Sequence, residues 1–62
     1  MMMEEKLRSA MADEECKAWK ALAGYKFWMF GYHSSKWVSY NKLGGFKEPN
    51  PWGRLVKLAK AV

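Results

Sequence analysis

The chain has 62 residues, half of them hydrophobic, with four Trp, three Tyr and three Phe and a formal net charge of +5. One cysteine and one histidine exclude an intrachain disulfide and a zinc site of the usual Cys/His type. A single domain of this size hides only about 60% of its unfolded surface, so its core barely offsets the entropy of folding.

Small domains compensate with disulfides, a metal, large core residues or a partner subunit. The first two are excluded here, which leaves the ten aromatic rings, each able to bury roughly 150–250 Å², and self-association. A homodimer is the expected oligomer, being the commonest closed form. The lack of paired cysteines fits a reducing, cytoplasmic setting. Met1-Met2-Met3-Glu4-Glu5 offers neither the basic nor the apolar stretch of a signal peptide. The densest apolar run, residues 25–32, is broken by Lys26 and falls far short of the roughly 20 residues of a membrane span.

Charge divides unevenly along the chain. Residues 1–15 carry five carboxylates against Lys6 and Arg8, a net −3, while residues 16–62 carry eight Lys and one Arg against Glu48 alone, a net +8. Such an excess attracts polyanions, whether nucleic acid or an acidic protein surface. Its plainer use is to keep an aromatic-rich domain in solution.

In chain order, residues 4–11 read as a short helix within a loosely attached extension over residues 1–12. Asp13 is a good N-cap, and Glu14 and Glu15 follow where the helix dipole favours carboxylates. Cys16, Trp19, Leu22 and Ala23 then recur at helical spacing, which predicts a helix over residues 14–30 with those four facing the core. Cys16 on that face reads as a buried structural thiol. The alternative for residues 25–40 is a β-hairpin, since Tyr25 to Phe30 and Lys36 to Tyr40 are rich in strand-favouring types. Helix is preferred because the run shows no alternation and continues the preceding pattern without punctuation. Gly31 is read as the stop, and Ser34 or Ser35 as the cap of a second helix over residues 36–43 that ends at Gly44-Gly45. Phe46 anchors the following loop. Asn50 and Pro51 open a third helix over residues 51–61, with Leu55, Leu58, Ala59 and Val62 as its apolar stripe. The expected fold is all-α, a single domain over residues 1–62 with three helices, or four counting the N-terminal one.

No enzymatic signature emerges. Catalysis needs a nucleophile beside a base, a carboxylate pair or a metal. His33-Ser34-Ser35 is a mere sequence neighbourhood, and Gly44-Gly45 lacks the Lys-Ser/Thr of a phosphate loop. No cofactor is expected. Two features speak for binding. Residues 31–42 have the outline of a helix-turn-helix, whose second helix would offer Lys36, Ser39, Asn41 and Lys42 to phosphates and base edges. Lys47, Arg54, Lys57 and Lys60 extend this basic set, with aromatic rings nearby as stacking surfaces for single strands or RNA. The set is rich in Lys and poor in Arg, which favours diffuse phosphate contact over base reading. The expected function is nucleic-acid binding by a small accessory protein of the phage or mobile-element kind. The alternative is an adaptor or inhibitor that binds an acidic protein surface, since interface centres are enriched in Trp, Tyr, Phe and Met. A third reading lays the terminal helix on an anionic membrane through Trp52, Leu55, Leu58 and Val62. It ranks last because the core is expected to need that stripe.

Overall fold

A computed structural model describes residues 2–62, in which the chain forms α1 (Met2–Ala23), α2 (Phe27–Gly44) and α3 (Gly53–Lys60). The all-α class is as expected, and the β-hairpin reading fails because the described residues contain no strand. α1 and α2 pack side by side as an antiparallel helical hairpin. The segment of residues 45–52 returns along one face of that hairpin and delivers Trp52, from which α3 departs.

The helix boundaries correct the sequence reading at three places. Asp13 starts nothing: α1 runs through it, so the expected extension is part of the first helix (Met1 lies outside the described residues). Residues 3–22 are mostly strong helix formers, Met, Glu, Lys, Leu, Arg and Ala. The pairs Glu4–Arg8 at 3.7 Å and Asp13–Lys17 at 2.9 Å brace successive turns.

The second correction is the turn. α1 ends at Gly24 and Tyr25, and Gly31 lies inside α2 together with Ser34 and Ser35. Tyr25 takes a left-handed φ of 60°. Its N–H donates to the Leu22 carbonyl at 3.0 Å, and the Lys26 N–H donates to the Ala21 carbonyl at 2.8 Å. This is the paired closure of a Schellman turn. α2 closes the same way around Gly45 at φ 62°, with Gly45 N–H on Lys42 at 3.1 Å and Phe46 N–H on Asn41 at 3.2 Å. The left-handed position thus holds Gly in one turn and Tyr in the other. The expected helix over residues 36–43 is the second half of α2, and the Ser34 hydroxyl caps nothing, donating to the Gly31 carbonyl at 3.2 Å within the helix.

Met11, Ala18, Trp37 and Trp52 form the buried cluster, with Phe30, Val38, Tyr40, Phe46 and Leu55 packed around it. Trp52 is its centre. Its ring lies 5.9 Å from Trp19, 5.7 Å from Phe30 and 5.8 Å from Trp37, the last two edge-on. α1 faces the core with Met11, Glu14, Ala18 and Ala21, at spacings of three and four. The expected face through Cys16, Trp19, Leu22 and Ala23 is therefore wrong by about 100°, one residue step of a helix. Cys16 is exposed, and Trp19 is 41% exposed. The physical reason is close approach: Ala18 and Ala21 admit α2, whereas Trp19 fits only on the flank, beneath Trp52.

The returning segment is fastened at three points. Phe46 folds onto Gly44, where any Cβ would collide with its ring, and the Arg8 guanidinium lies 4.2 Å above that ring. The Asn41 amide exchanges two hydrogen bonds of 3.1 Å with the backbone of Glu48. Asn50 Oδ1 accepts the Trp52 N–H at 2.8 Å and turns the chain into α3, which begins at Gly53, two residues beyond the expected start. Leu55 then packs on the core, while Leu58 and Val62 remain exposed. The stripe of α3 is thus mostly free, contrary to expectation.

Candidate functional site

The hairpin places a carboxylate where an apolar side chain would be routine. Glu14 is 5% exposed on the core face of α1. Its Oε1 lies 2.6 Å from His33 Nδ1, a hydrogen bond in which an ionised carboxylate accepts, and its Oε2 lies 3.6 Å from Lys36 Nζ. Burying a carboxylate is tolerable only with such partners. His33 is steadied further by the Tyr32 ring, edge-on at 5.0 Å. The Lys36 ammonium sits 5.1 Å from the Tyr32 ring centroid and is held above its ordinary range, first by Tyr32 and, against desolvation, by Glu14. Lys17 is raised likewise by its hydrogen bond to Asp13.

A carboxylate orienting an imidazole is half of an acid–base apparatus. The recess that holds His33 is otherwise lined by Lys17, Lys20, Ala21, Lys26 and Met29, so neither a hydroxyl nor a thiol stands there as nucleophile. The cluster reads as a tie between α1 and α2. Sequence reasoning missed it, yet a signal existed. A hairpin folded about residue 25 sets residue 14 opposite residue 36, one eleven places before the turn and the other eleven after.

The eight residues expected to contact a polyanion fall into separate groups. Lys36 is engaged by Glu14, and Ser39 lies with Trp28, Gly31, Tyr32 and Ser35 along a groove on α2. Asn41 is consumed by Glu48 and cannot read a base. Lys42 and Lys47 are exposed at the end of α2 and in the returning segment, Lys47 at a left-handed φ of 57°. Arg54 and Lys57 flank Leu55 and Leu58 on α3, and Lys60 follows one turn later. The helix-turn-helix outline fails outright, because residues 31–35 are helical and no second helix starts at Lys36.

Charge pairing sorts the cations more sharply than position does. Glu4 and Glu48 engage Arg8, Asp13 engages Lys17, Glu14 engages Lys36, and Glu15 accepts a hydrogen bond of 3.2 Å from Trp19 Nε1. Among the described residues only Arg8, Lys17 and Lys36 of the Lys and Arg set have a carboxylate within reach. Lys6, Lys20, Lys26, Lys42, Lys47, Arg54, Lys57 and Lys60 have none. Three of these, Arg54, Lys57 and Lys60, lie on α3, the first two in one patch with Leu55 and Leu58.

Among the described residues no three His, Cys, Asp or Glu side chains converge as metal ligands, and no helix is long and apolar enough to cross a membrane. No family model, no curated protein and no solved structure matches the chain.

Proposed function

We propose that this protein is a binding protein, not an enzyme, and that it takes a nucleic acid by its phosphates. The observation that carries the reading is the pairing pattern: all carboxylates but Glu5 are spent inside the molecule, which leaves eight cations facing solvent. Arg54, Lys57 and Lys60 on α3, joined by Lys42 and Lys47, are the contact residues. Four of the five are lysines, point charges that neutralise phosphates without discriminating bases, so binding is largely tolerant of sequence. The loss of Asn41 as a base reader points the same way.

The test is fluorescence anisotropy with labelled single-stranded DNA, duplex DNA and RNA, comparing the native chain with the triple variant Arg54→Glu, Lys57→Glu, Lys60→Glu. The reading expects the variant to lose about tenfold or more in affinity for the preferred ligand at constant helix content. Equal affinity for both proteins sinks it.

One observation favours a second reading. Leu58 is 67% exposed between those cations, and Val62 beyond it is exposed too. A basic helix with a free apolar stripe also suits an acidic protein surface. In that event nucleic acids bind neither protein, and an acidic amphipathic peptide binds the native chain alone.

A further inference from the structure

The chain exposes more surface than its mass requires. Its accessible area is 5089 Å². A compact monomer of 7.2 kDa shows about 4,100 Å², an excess of about 1,000 Å². Its radius of gyration is 12.4 Å, against about 10.5 Å for a compact chain of this length. The molecule measures 42 × 22 × 12 Å, a flat plate, and none of its described large side chains is fully buried.

Part of that exposed surface runs along one edge of α2. α2 turns Trp37, Phe30 and His33 toward α1 and the returning segment, and its opposite edge carries Trp28, Tyr32 and Leu43. Trp28 is 89% exposed, and Tyr32 and Leu43 are more than half exposed. Between these large residues lie Gly31, Ser35 and Ser39, which floor a groove of about 600 Å³ walled by Trp28 and Tyr32. Nothing within 4 Å would meet a Cβ at Gly31. Three large apolar side chains thus stand in solvent along one edge of a helix whose other edge is packed, the kind of surface that marks an interaction site.

We propose that this edge of α2 is the interface of a homodimer, two copies packing antiparallel across α2 about a two-fold axis near Ser35. Area is the first argument. The excess of about 1,000 Å² is what one partner of a standard interface, at about 800 Å² a side, would cover. Self-complementarity is the second. Large and small residues alternate along the edge, so an antiparallel copy centred near Ser35 sets Trp28 against Leu43 of the partner subunit and Tyr32 over the partner's Ser39, with Ser35 at the axis. Charge sets the salt dependence instead: α2 contains no carboxylate, Lys36 lines the groove and Lys42 stands near its end, so two copies approach against a repulsion that salt relieves. Arg54, Lys57 and Lys60 stay free, and the dimer presents two copies of them.

Sedimentation equilibrium of the full chain tests this, at low and at raised salt. The expected species has twice the 7.2 kDa chain mass. Because each copy carries +5, salt screens the repulsion between copies and tightens the dimer, the opposite of its effect on phosphate binding. Ser35→Arg places bulk and like charge at the axis, and Trp28→Ala removes an anchor. Each is expected to weaken the dimer about tenfold or more. Both positions are exposed, so helix content by circular dichroism stays unchanged. A chain that remains monomeric at the highest salt overturns the proposal. So does a dimer that neither substitution weakens, which would lie on another face. Failure here leaves the anisotropy result for Arg54, Lys57 and Lys60 untouched, so the two readings stand or fall separately.

Discussion

Replacing Trp52 by alanine should remove a large share of the protein's stability. Trp52 is 4% exposed and touches Trp19, Phe30 and Trp37, and with Leu55 it is the attachment of α3 to the hairpin. Burying roughly 150–250 Å² of indole at about 25 cal/mol per Å² is worth about 4–6 kcal/mol. Against this stands Trp52 Nε1, which is buried with no hydrogen-bond partner, a desolvation penalty of about 1–3 kcal/mol. The net loss is therefore about 3 kcal/mol or somewhat more, in line with core Trp→Ala substitutions. A domain of this length has only about 3–9 kcal/mol in total. Urea unfolding followed by far-ultraviolet circular dichroism, at one fixed protein concentration, reads the difference. Trp52→Phe is the informative companion: it keeps a ring against three neighbours and removes the orphan donor, so it should cost less than half as much. A Trp52→Ala loss below about 1 kcal/mol would refute the reasoning, since no substitution that empties this cluster can be so mild.

Four further outcomes follow from the same contacts. Glu14→Ala removes the acceptor that ties His33 to α1 and should cost about 1–3 kcal/mol; a double-mutant cycle with His33→Ala by urea unfolding should show coupling above about 0.5 kcal/mol, and additive losses would mean the tie is inert. Tyr25→Gly should raise the urea midpoint by an amount worth about 1 kcal/mol, because Tyr25 is exposed at a left-handed φ of 60°; a lower midpoint would show that the ring contributes packing. Trp19→Ala should cost about 1–2 kcal/mol, well under the loss at Trp52, since the ring is on the flank. Asn41→Ala should cost about 1 kcal/mol by releasing Glu48, while leaving nucleic-acid affinity unchanged in the anisotropy assay; a selective loss of affinity would restore Asn41 as a contact.

The third helix and the loop before it were the most legible parts of the sequence, because their signals are local. Asn50 before Pro51, Phe46 beside Gly44-Gly45 and the three–four spacing from Leu55 each depend on near neighbours. The hairpin was not legible, because its turn uses Tyr25 at the left-handed position while Gly31, Ser34 and Ser35 imitate a stop and a cap inside α2. A Schellman turn built on tyrosine carries no compositional mark. Misplacing the turn hid the site as well: with a break at residue 31, Glu14 has no reason to meet His33 or Lys36. The core face of α1 was misread for a related reason. Trp19 is the largest residue of its segment and invites burial, but the close contact with α2 is made by Ala18 and Ala21. The basic set was legible as composition, and its division by pairing only in part: Glu4–Arg8 falls within the expected short helix, whereas Arg8–Glu48 and Lys36–Glu14 act across folded geometry and Asp13–Lys17 spans the point where a helix start was expected.

The most direct test of the central claim is the salt dependence of nucleic-acid affinity for the native chain. Five free cations are the proposed phosphate contacts, and single strands lose about 0.7 of a log unit per contact per log unit of salt. With three to five contacts engaged, the log–log slope should lie between about −2 and −3.5 across roughly 50–200 mM salt, and reversing Arg54, Lys57 and Lys60 should flatten it by about 2. Absence of binding at the lowest salt, or a slope that the triple variant leaves unchanged, would contradict it.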